Sequence, residues 1–360
     1  MNEYLVCGIA LYILSYLFYV KISRGLGHKA EYLQLRRFFP CAVLAVLPCY
    51  LAQLPLTSPQ FLISLFVGVM WIITYPLFYY ITYHKNSTDF GFHLDTVFGL
   101  YIIGWLTGLK ILVQYFNFMP TVLMVVISIA EFAVLLIPVL QWLYFAVYKT
   151  SVNENALSAM LQTDYNESIE FYKSLPKLIQ IILPIIIAGF VYCIVLTNTP
   201  IKIQLNNEYF VWSIIAITIF LTIYLWEPSK KGVFLRTGLI DLSNDVRHYM
   251  AETKTYTKNL NQRLSKLQVS PSEPNFNKPS TIIMVIGESE SRDYMSAFSN
   301  YDKDTTPWLN KEKNSNNFFL FPNAYACHHQ TVQTLERALT EANQYNDKKF
   351  YESCSVIDIA

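Results

Sequence analysis

The run TVLMVVISIAEFAVLLIPVLQWLYFAVY, residues 121–148, decides the class of fold. Its only charged residue is Glu131, and it is longer than the about 20 mostly apolar residues a helix needs to cross a bilayer core. Six further stretches read the same way: Tyr4–Val20, Phe38–Leu54, Phe61–Tyr83, Thr96–Phe116, Leu178–Thr197 and Tyr209–Trp226. Phe38–Leu54 is the weakest, being short and carrying Pro40 and Pro48, with Pro55 and Pro59 just beyond. It either spans or forms half of a re-entrant hairpin with the next segment, so six or seven transmembrane helices are expected.

Charge follows the same division. Residues 1–226 hold 21 Asp, Glu, Lys and Arg, roughly 9% of that stretch. Residues 227–360 hold the other 32 of the 53, roughly 24%, close to the about 25% of ordinary soluble domains. This excludes a wholly cytosolic enzyme, a disordered chain and a bare membrane bundle. A net charge of +1 gives no support to nucleic-acid binding, which needs a clustered basic surface. The expected architecture is a multi-pass α-helical membrane domain over 1–226, a linker over 227–279 and a water-exposed domain over 280–360.

Tyr and Trp gather at segment ends (Tyr79, Tyr80, Tyr83; Trp142, Tyr144, Tyr148; Tyr224, Trp226), as interfacial belts do. Glu131 is the one clearly intramembrane carboxylate candidate, and such acids are costly enough to suggest function. The sequence names no basic partner for it, and a shared hydrogen bond within the bundle accounts for it equally well. Loop 21–37 carries Lys21, Arg24, Lys29, Arg36 and Arg37 against Glu31, which votes for the cytoplasm. If all seven segments span, that vote puts the C-terminal domain in the cytoplasm too; if one early segment does not, it puts that domain outside.

After Trp226-Glu227-Pro228 the composition changes. Leu242, Val246, Tyr249, Tyr256, Leu260, Leu264 and Leu267 fall at helical spacing, which predicts a surface helix over 241–268. Ser270-Pro271-Ser272-Glu273-Pro274 and Asn275 to Pro279 follow as a turn-rich linker. Thr281 to Ile286 (TIIMVI) is a β-branched apolar run suited to a strand buried on both faces of a parallel sheet. It ends in Gly287-Glu288-Ser289, placing a carboxylate at the edge where open α/β sheets bind ligands. A helix N-cap would look the same.

The stretches GESESRDYMSAF (287–298), DTTPWL (304–309), FPNAYA (321–326) and QTVQTLERALT (330–340) follow in that order. Together they resemble the phosphoethanolamine transferases of bacterial envelopes, in the alkaline phosphatase/sulfatase superfamily, more the branch acting on lipopolysaccharide core sugars than that acting on lipid A phosphates. The resemblance implies a bundle in the inner (cytoplasmic) membrane joined to a periplasmic α/β zinc domain. It implies that Glu288 ligates zinc and that Thr331, at a helix start, is both zinc ligand and nucleophile. Phosphatidylethanolamine is then the donor, lipopolysaccharide the acceptor, and a phosphoethanolamine-threonine the intermediate. The segment QTDYNE (162–167) is similar to the family's donor-binding motif between two membrane helices, with Glu167 in the acidic position and Thr163 beside it. Ala159 stands where some members have Asn.

The chemistry is sound from below. A threonine hydroxyl is nearly inert at neutral pH and needs a metal or base to become a nucleophile. Zinc accepts carboxylate oxygens and histidine nitrogens and can neutralise phosphoryl charge. A helix starting near Thr331 aims backbone N–H groups at a phosphate. By itself, Thr331 is equally an ordinary N-cap threonine. His328 and His329 match no family ligand and read as substrate-side or surface residues. Thr305, Thr306 and Pro307 read as a turn beside the site. Cys327 lacks the pattern of a sulfatase nucleophile, and an outside location permits a Cys327–Cys354 bridge.

The family's remaining metal ligands lie in a downstream Asp-His-Gly segment that is absent from this sequence. The expectation is therefore an incomplete start of the α/β domain, with two zinc ligands where about four are wanted, in a truncated chain inactive by itself. Two alternatives stand beside this reading. One is a glycerophosphate transferase of the same superfamily, disfavoured by the Gln162–Glu167 segment and the DTTPWL spacing. The other is a non-catalytic membrane protein such as a transporter component.

Overall fold

A computed structural model describes residues 2–25, 33–83, 92–149, 152, 154–200, 203, 205, 207–229, 232–267, 283–287, 291–316, 318–319, 321, 323–328 and 331–359. In chain order its α-helices are α1 (Asn2–Gly25), α2 (Leu33–Ala52), α3 (Pro59–Tyr83), α4 (Phe92–Phe116) and α5 (Pro120–Tyr148). Next come α6 (Glu154–Gln162), α7 (Tyr165–Ser174), α8 (Lys177–Thr197), α9 (Glu208–Trp226) and α10 (Gly238–Lys258). The remainder are the short α11 (Leu260–Leu264), α12 (Pro307–Glu312), α13 (Thr331–Leu339) and α14 (Val356–Ile359).

Each of the seven apolar stretches is helical. Among the described residues, α1, α4, α5, α8 and α9 are long and apolar enough to cross a membrane, by length and composition. The apolar parts of α2 and α3, Phe38–Ala52 and Pro59–Thr74, are shorter. The expected six or seven spans thus become five full-length candidates and two short ones. Pro40 and Pro48 lie inside α2 without ending it. A proline costs an intrahelical hydrogen bond, and neighbouring helices can re-satisfy the freed group in a membrane protein.

The chain divides into two units, Met1–Val246 and Arg247–Ala360. In the first, α4 packs along α3 and α2 and is the most deeply enclosed element. The approach to α3 is set by two small residues. A Cβ built on Gly99 would lie 2.6 Å from the Gly68 carbonyl and 2.7 Å from Ile72 Cγ1. Lipid offers little hydrophobic drive between helices, so backbone proximity and dispersion hold such contacts. Trp71, Phe98, Trp226 and Phe234 form an aromatic nucleus, with Trp71–Phe98 centroids 4.5 Å apart and Trp226–Phe234 4.9 Å. Indole groups tie helices together: Trp71 Nε1 donates to the Val134 carbonyl at 3.0 Å and Trp142 Nε1 to Thr74 Oγ1 at 3.0 Å.

The second unit differs from expectation in two places. The surface helix expected over 241–268 is broken at Asn259, where α10 stops and α11 begins. Of the run expected as a buried strand, the described residues 283–286 show no strand. Residues 283–287 carry no ladder, and Ile283 and Val285 are 82% and 86% exposed. A strand buried on both faces requires flanking strands and covering helices. Among the described residues the only β pairing is a single antiparallel bridge, Thr340 to Ser355. An α/β sheet is therefore not seen; the described structure is helical with irregular connections.

What orders this unit is a small cluster around Arg263. Its guanidinium lies 3.6 Å over the Tyr256 ring and 3.8 Å from Asp358, and it also donates to the Tyr256 carbonyl. Tyr256 stacks on Phe350 at 4.5 Å, and its hydroxyl donates to Asp358 Oδ2 at 3.2 Å. Cys354 Sγ lies 3.6 Å from the Arg263 carbonyl. Cys354 is buried, Cys327 is exposed and both are free, so the bridge permitted by the sequence is not made.

Candidate functional site

The first candidate segment connects α5 to α8. Helix α6 ends as Thr163 turns back on it: Thr163 Oγ1 donates to the Ala159 carbonyl at 2.7 Å, as does its backbone N–H at 2.9 Å. Asp164 then caps α7. Its Oδ1 accepts from Glu167 N at 2.9 Å, and Glu167 Oε2 accepts from Asp164 N at 3.3 Å. This reciprocal pair is a capping box, legible in the D-x-x-E spacing. Both acids remain exposed, and Tyr165 is 78% exposed beside them. Glu167 and Thr163 are thus neighbours on one solvent-accessible turn. The capping role explains Glu167 locally and leaves its other carboxylate oxygen outside the box.

The second candidate segment surrounds α13. Thr331 is the first residue of the helix and is exposed, so the expected helix start is where the sequence put it. Thr334 Oγ1 donates to the His328 carbonyl at 2.9 Å, fastening the preceding turn to the helix. The α13 axis therefore presents backbone N–H groups beside the Thr331 hydroxyl, a setting that favours anions. Glu288 and His329 lie outside the described residues. Among the described residues no three His, Cys, Asp or Glu side chains come together as a metal site. The described donors therefore do not make a zinc site by themselves.

The Thr305-Thr306-Pro307 turn forms a hydroxyl-rich junction. Ser296 Oγ donates to Asp304 Oδ1 at 3.0 Å, and Asn310 Nδ2 donates to the same oxygen at 2.8 Å. Thr306 Oγ1 accepts from Ala297 N at 2.9 Å, and Pro307 opens α12. These bonds explain the Asp-Thr-Thr-Pro spacing as a turn that initiates a helix.

Glu131 does have a basic partner, which corrects the sequence reading. Lys110 Nζ, on α4, lies 2.7 Å from Glu131 Oε1, with both side chains almost wholly buried. Lys110 also donates to the Gln60 carbonyl at 3.0 Å and to Ser64 Oγ at 2.9 Å, so three acceptors match its three N–H groups. Glu131 Oε2 accepts from Asn198 Nδ2 at 2.6 Å, and Asn198 Nδ2 also lies 3.3 Å from Ser128 Oγ. The sequence hides Lys110 because it sits alone in an apolar span, 21 residues from its partner.

Glu167 and Thr163 belong to the first unit, Thr331 and the Ser296 junction to the second. Residues 280–355 match the Sulfatase family model. The chain is 24% identical over 242 residues to "Phosphoethanolamine transferase EptC" of Escherichia coli (strain K12), covering 60% of this chain and 40% of that protein. It is also 24% identical over 235 residues to "Phosphoethanolamine transferase CptA" of Salmonella typhimurium (strain LT2), with the same coverage of 60% and 40%. The chain therefore spans about 40% of the length of the curated relatives it matches. No solved structure matches it. The resemblance to sulfatase-superfamily phosphoethanolamine transferases is thus found both in the motifs of residues 287–340 and over a longer stretch of the chain.

Proposed function

We propose that this chain acts in phosphoethanolamine transfer at a bacterial inner membrane, with phosphatidylethanolamine as donor and lipopolysaccharide as acceptor. The observation carrying this reading is the coincidence of the Sulfatase match over 280–355 with Thr331 as the exposed first residue of a helix. The two relatives named as phosphoethanolamine transferases favour that group over glycerophosphate. We divide the chain accordingly into a membrane region over 1–226, a linker over 227–279 and a sulfatase-like α/β region from 280.

In this reading Thr331 Oγ attacks the phosphorus of the donor. The bond from phosphorus to the diacylglycerol oxygen breaks, diacylglycerol leaves with a proton, and phosphoethanolamine remains on Thr331. An acceptor hydroxyl or phosphate oxygen then takes the group and restores the threonine. The α13 N–H groups offset charge on the transferring phosphoryl group. Glu167 and Thr163 are assigned to the donor's head group, the carboxylate facing its ammonium. Glu288 and Thr331 are the residues assigned to hold a zinc ion, which would supply Lewis-acid activation of the hydroxyl when bound.

The decisive experiment is mass spectrometry of lipopolysaccharide, and of the peptide bearing Thr331, from cells expressing this chain joined to a segment that supplies the Asp-His ligands, the chain by itself being expected to give neither product. Phosphoethanolamine on both is expected, and Thr331→Ala should remove both. Undiminished lipopolysaccharide modification by the variant refutes the nucleophile assignment. The reading also places residues after 280 in the periplasm. Alkaline phosphatase fused after Pro279 should be active; an inactive fusion overturns that placement and, with loop 21–37 in the cytoplasm, sides with all seven segments spanning.

A further inference from the structure

Helix α8 is attached to its neighbours in an unusual way. It is among the most apolar helices of the chain, yet Ile194 is its only buried residue among those described. Ile181, Ile185 and Tyr192 are more than 60% exposed. Exposed apolar surface is what lipid solvates, so burial drives such a helix inward only weakly. Its C-terminal end is different. Asn198, the C-cap residue, is 2% exposed and reaches Glu131 Oε2 at 2.6 Å. One residue on, the Thr199 carbonyl accepts from Gln60 Nε2 at 2.9 Å. Gln60 is also the residue whose carbonyl accepts from Lys110. Of the three side-chain bonds that anchor this end of α8, the two shorter ones end on the Lys110–Glu131 pair or on a residue bonded to it, and the longer one, 3.3 Å, ends on Ser128 of α5.

We infer that the buried Lys110–Glu131 pair is the docking point that fastens α8 to α3, α4 and α5, with Asn198 as the residue it grips. The charge arrangement suits this role. Lys110 has a partner for each N–H, so its charge is fully compensated, and Glu131 keeps one oxygen turned toward α8. A neutral amide donating to a buried carboxylate is a charge-assisted bond, stronger than a neutral one. Removing the carboxylate's charge or the amide's donor should loosen α8 while α1 to α4 stay packed.

The test uses the full chain in lipid nanodiscs, with Cys193 and Cys327 replaced by serine and two engineered thiol pairs. Phe66 and Phe190 stack across α3 and α8 at 6.2 Å between centroids, so F66C/F190C reports docking of α8. Tyr12 and Phe39 meet across α1 and α2 at 5.7 Å, so Y12C/F39C reports the rest of the bundle. With a short bis-thiol-reactive linker, N198A should lower the first cross-link roughly tenfold, the scale of one lost charge-assisted hydrogen bond, and E131Q should lower it by less. The second cross-link should be unchanged. In E131Q the replacing amide can still bond the Asn198 amide, whose Oδ1 has no partner among the described residues, so only the charge assistance is lost and the first cross-link should fall less than in N198A. Wild-type α3–α8 cross-linking in both variants overturns the inference. Loss of both cross-links in N198A overturns it as well, because the contact would then hold the bundle as a whole.

Discussion

The two units solve the same problem to very different degrees. In Met1–Val246 nearly every helix contributes to two hydrophobic clusters, and even a lysine and a glutamate are enclosed with their hydrogen bonds complete. In Arg247–Ala360 the buried hydrophobics are few, and Ile283, Val285, Phe319, Phe321 and Tyr325 stand largely exposed. The difference is one of partners, since both regions carry apolar runs. A transmembrane helix satisfies its own backbone and needs neighbours only for its side chains, whereas a strand needs neighbours for both. The apolar run 283–286 among the described residues has neither ladder nor cover.

The largest expected effect tests this contrast directly. Phe98 is fully buried within the aromatic nucleus, so Phe98→Ala should cost about 3–5 kcal/mol. Ile283→Ala should change stability by no more than about 0.5 kcal/mol, as at other exposed positions. Thermal unfolding in detergent, followed by circular dichroism, measures both. A comparable loss at Ile283 would break the comparison and restore a buried sheet strand over 281–286.

A smaller loss is expected at the α3–α4 contact. The Cβ of Gly99→Ala would press on the Gly68 carbonyl at 2.6 Å and on Ile72 N at 3.0 Å, both rigid parts of the opposing helix. Overpacking of this kind costs typically about 1–3 kcal/mol. Alanine is otherwise the better helix former, so a stabilised Gly99→Ala would show that the two helices can separate without loss.

These cases also show what was legible in the sequence. Seven apolar stretches were enough to place seven helices, because length and hydropathy are properties of one segment at a time. The start of α13 at Thr331 was expected from the resemblance, whereas the capping box at Asp164 and Glu167 was not read, although its D-x-x-E spacing marks it locally. The Lys110–Glu131–Asn198 network was not legible, because its members come from three helices and nothing local marks them as mutual partners. The strand expected at 281–286 is not seen among the described residues 283–286. A β-branched run states a preference, and pairing depends on what lies beside it.

The smallest effect concerns acid. Burial pushes the Asp358 carboxyl up, but the Ser355 backbone N–H, the Ser355 hydroxyl, Arg263 and the Tyr256 hydroxyl together outweigh it and hold it below its ordinary value. Ser355 N donates to Asp358 Oδ2 at 2.7 Å and Asp358 N to Ser355 Oγ at 3.2 Å, so the carboxylate form also caps α14. A carboxyl lowered in the folded state binds its proton more readily when unfolded. Its contribution is therefore complete above the ordinary carboxylate range and is lost as pH falls through the depressed folded value. The contact of Tyr256 and Arg263 with segment 350–358 should accordingly weaken below about pH 4, the ordinary aspartate range. Hydrogen exchange of residues 350–358 between neutral and acid pH measures it, and Asp358→Asn should give the acid-like exchange at every pH. If protection there is as pH-dependent in Asp358→Asn as in the parent chain, the carboxylate is not what joins α10 and α11 to this segment.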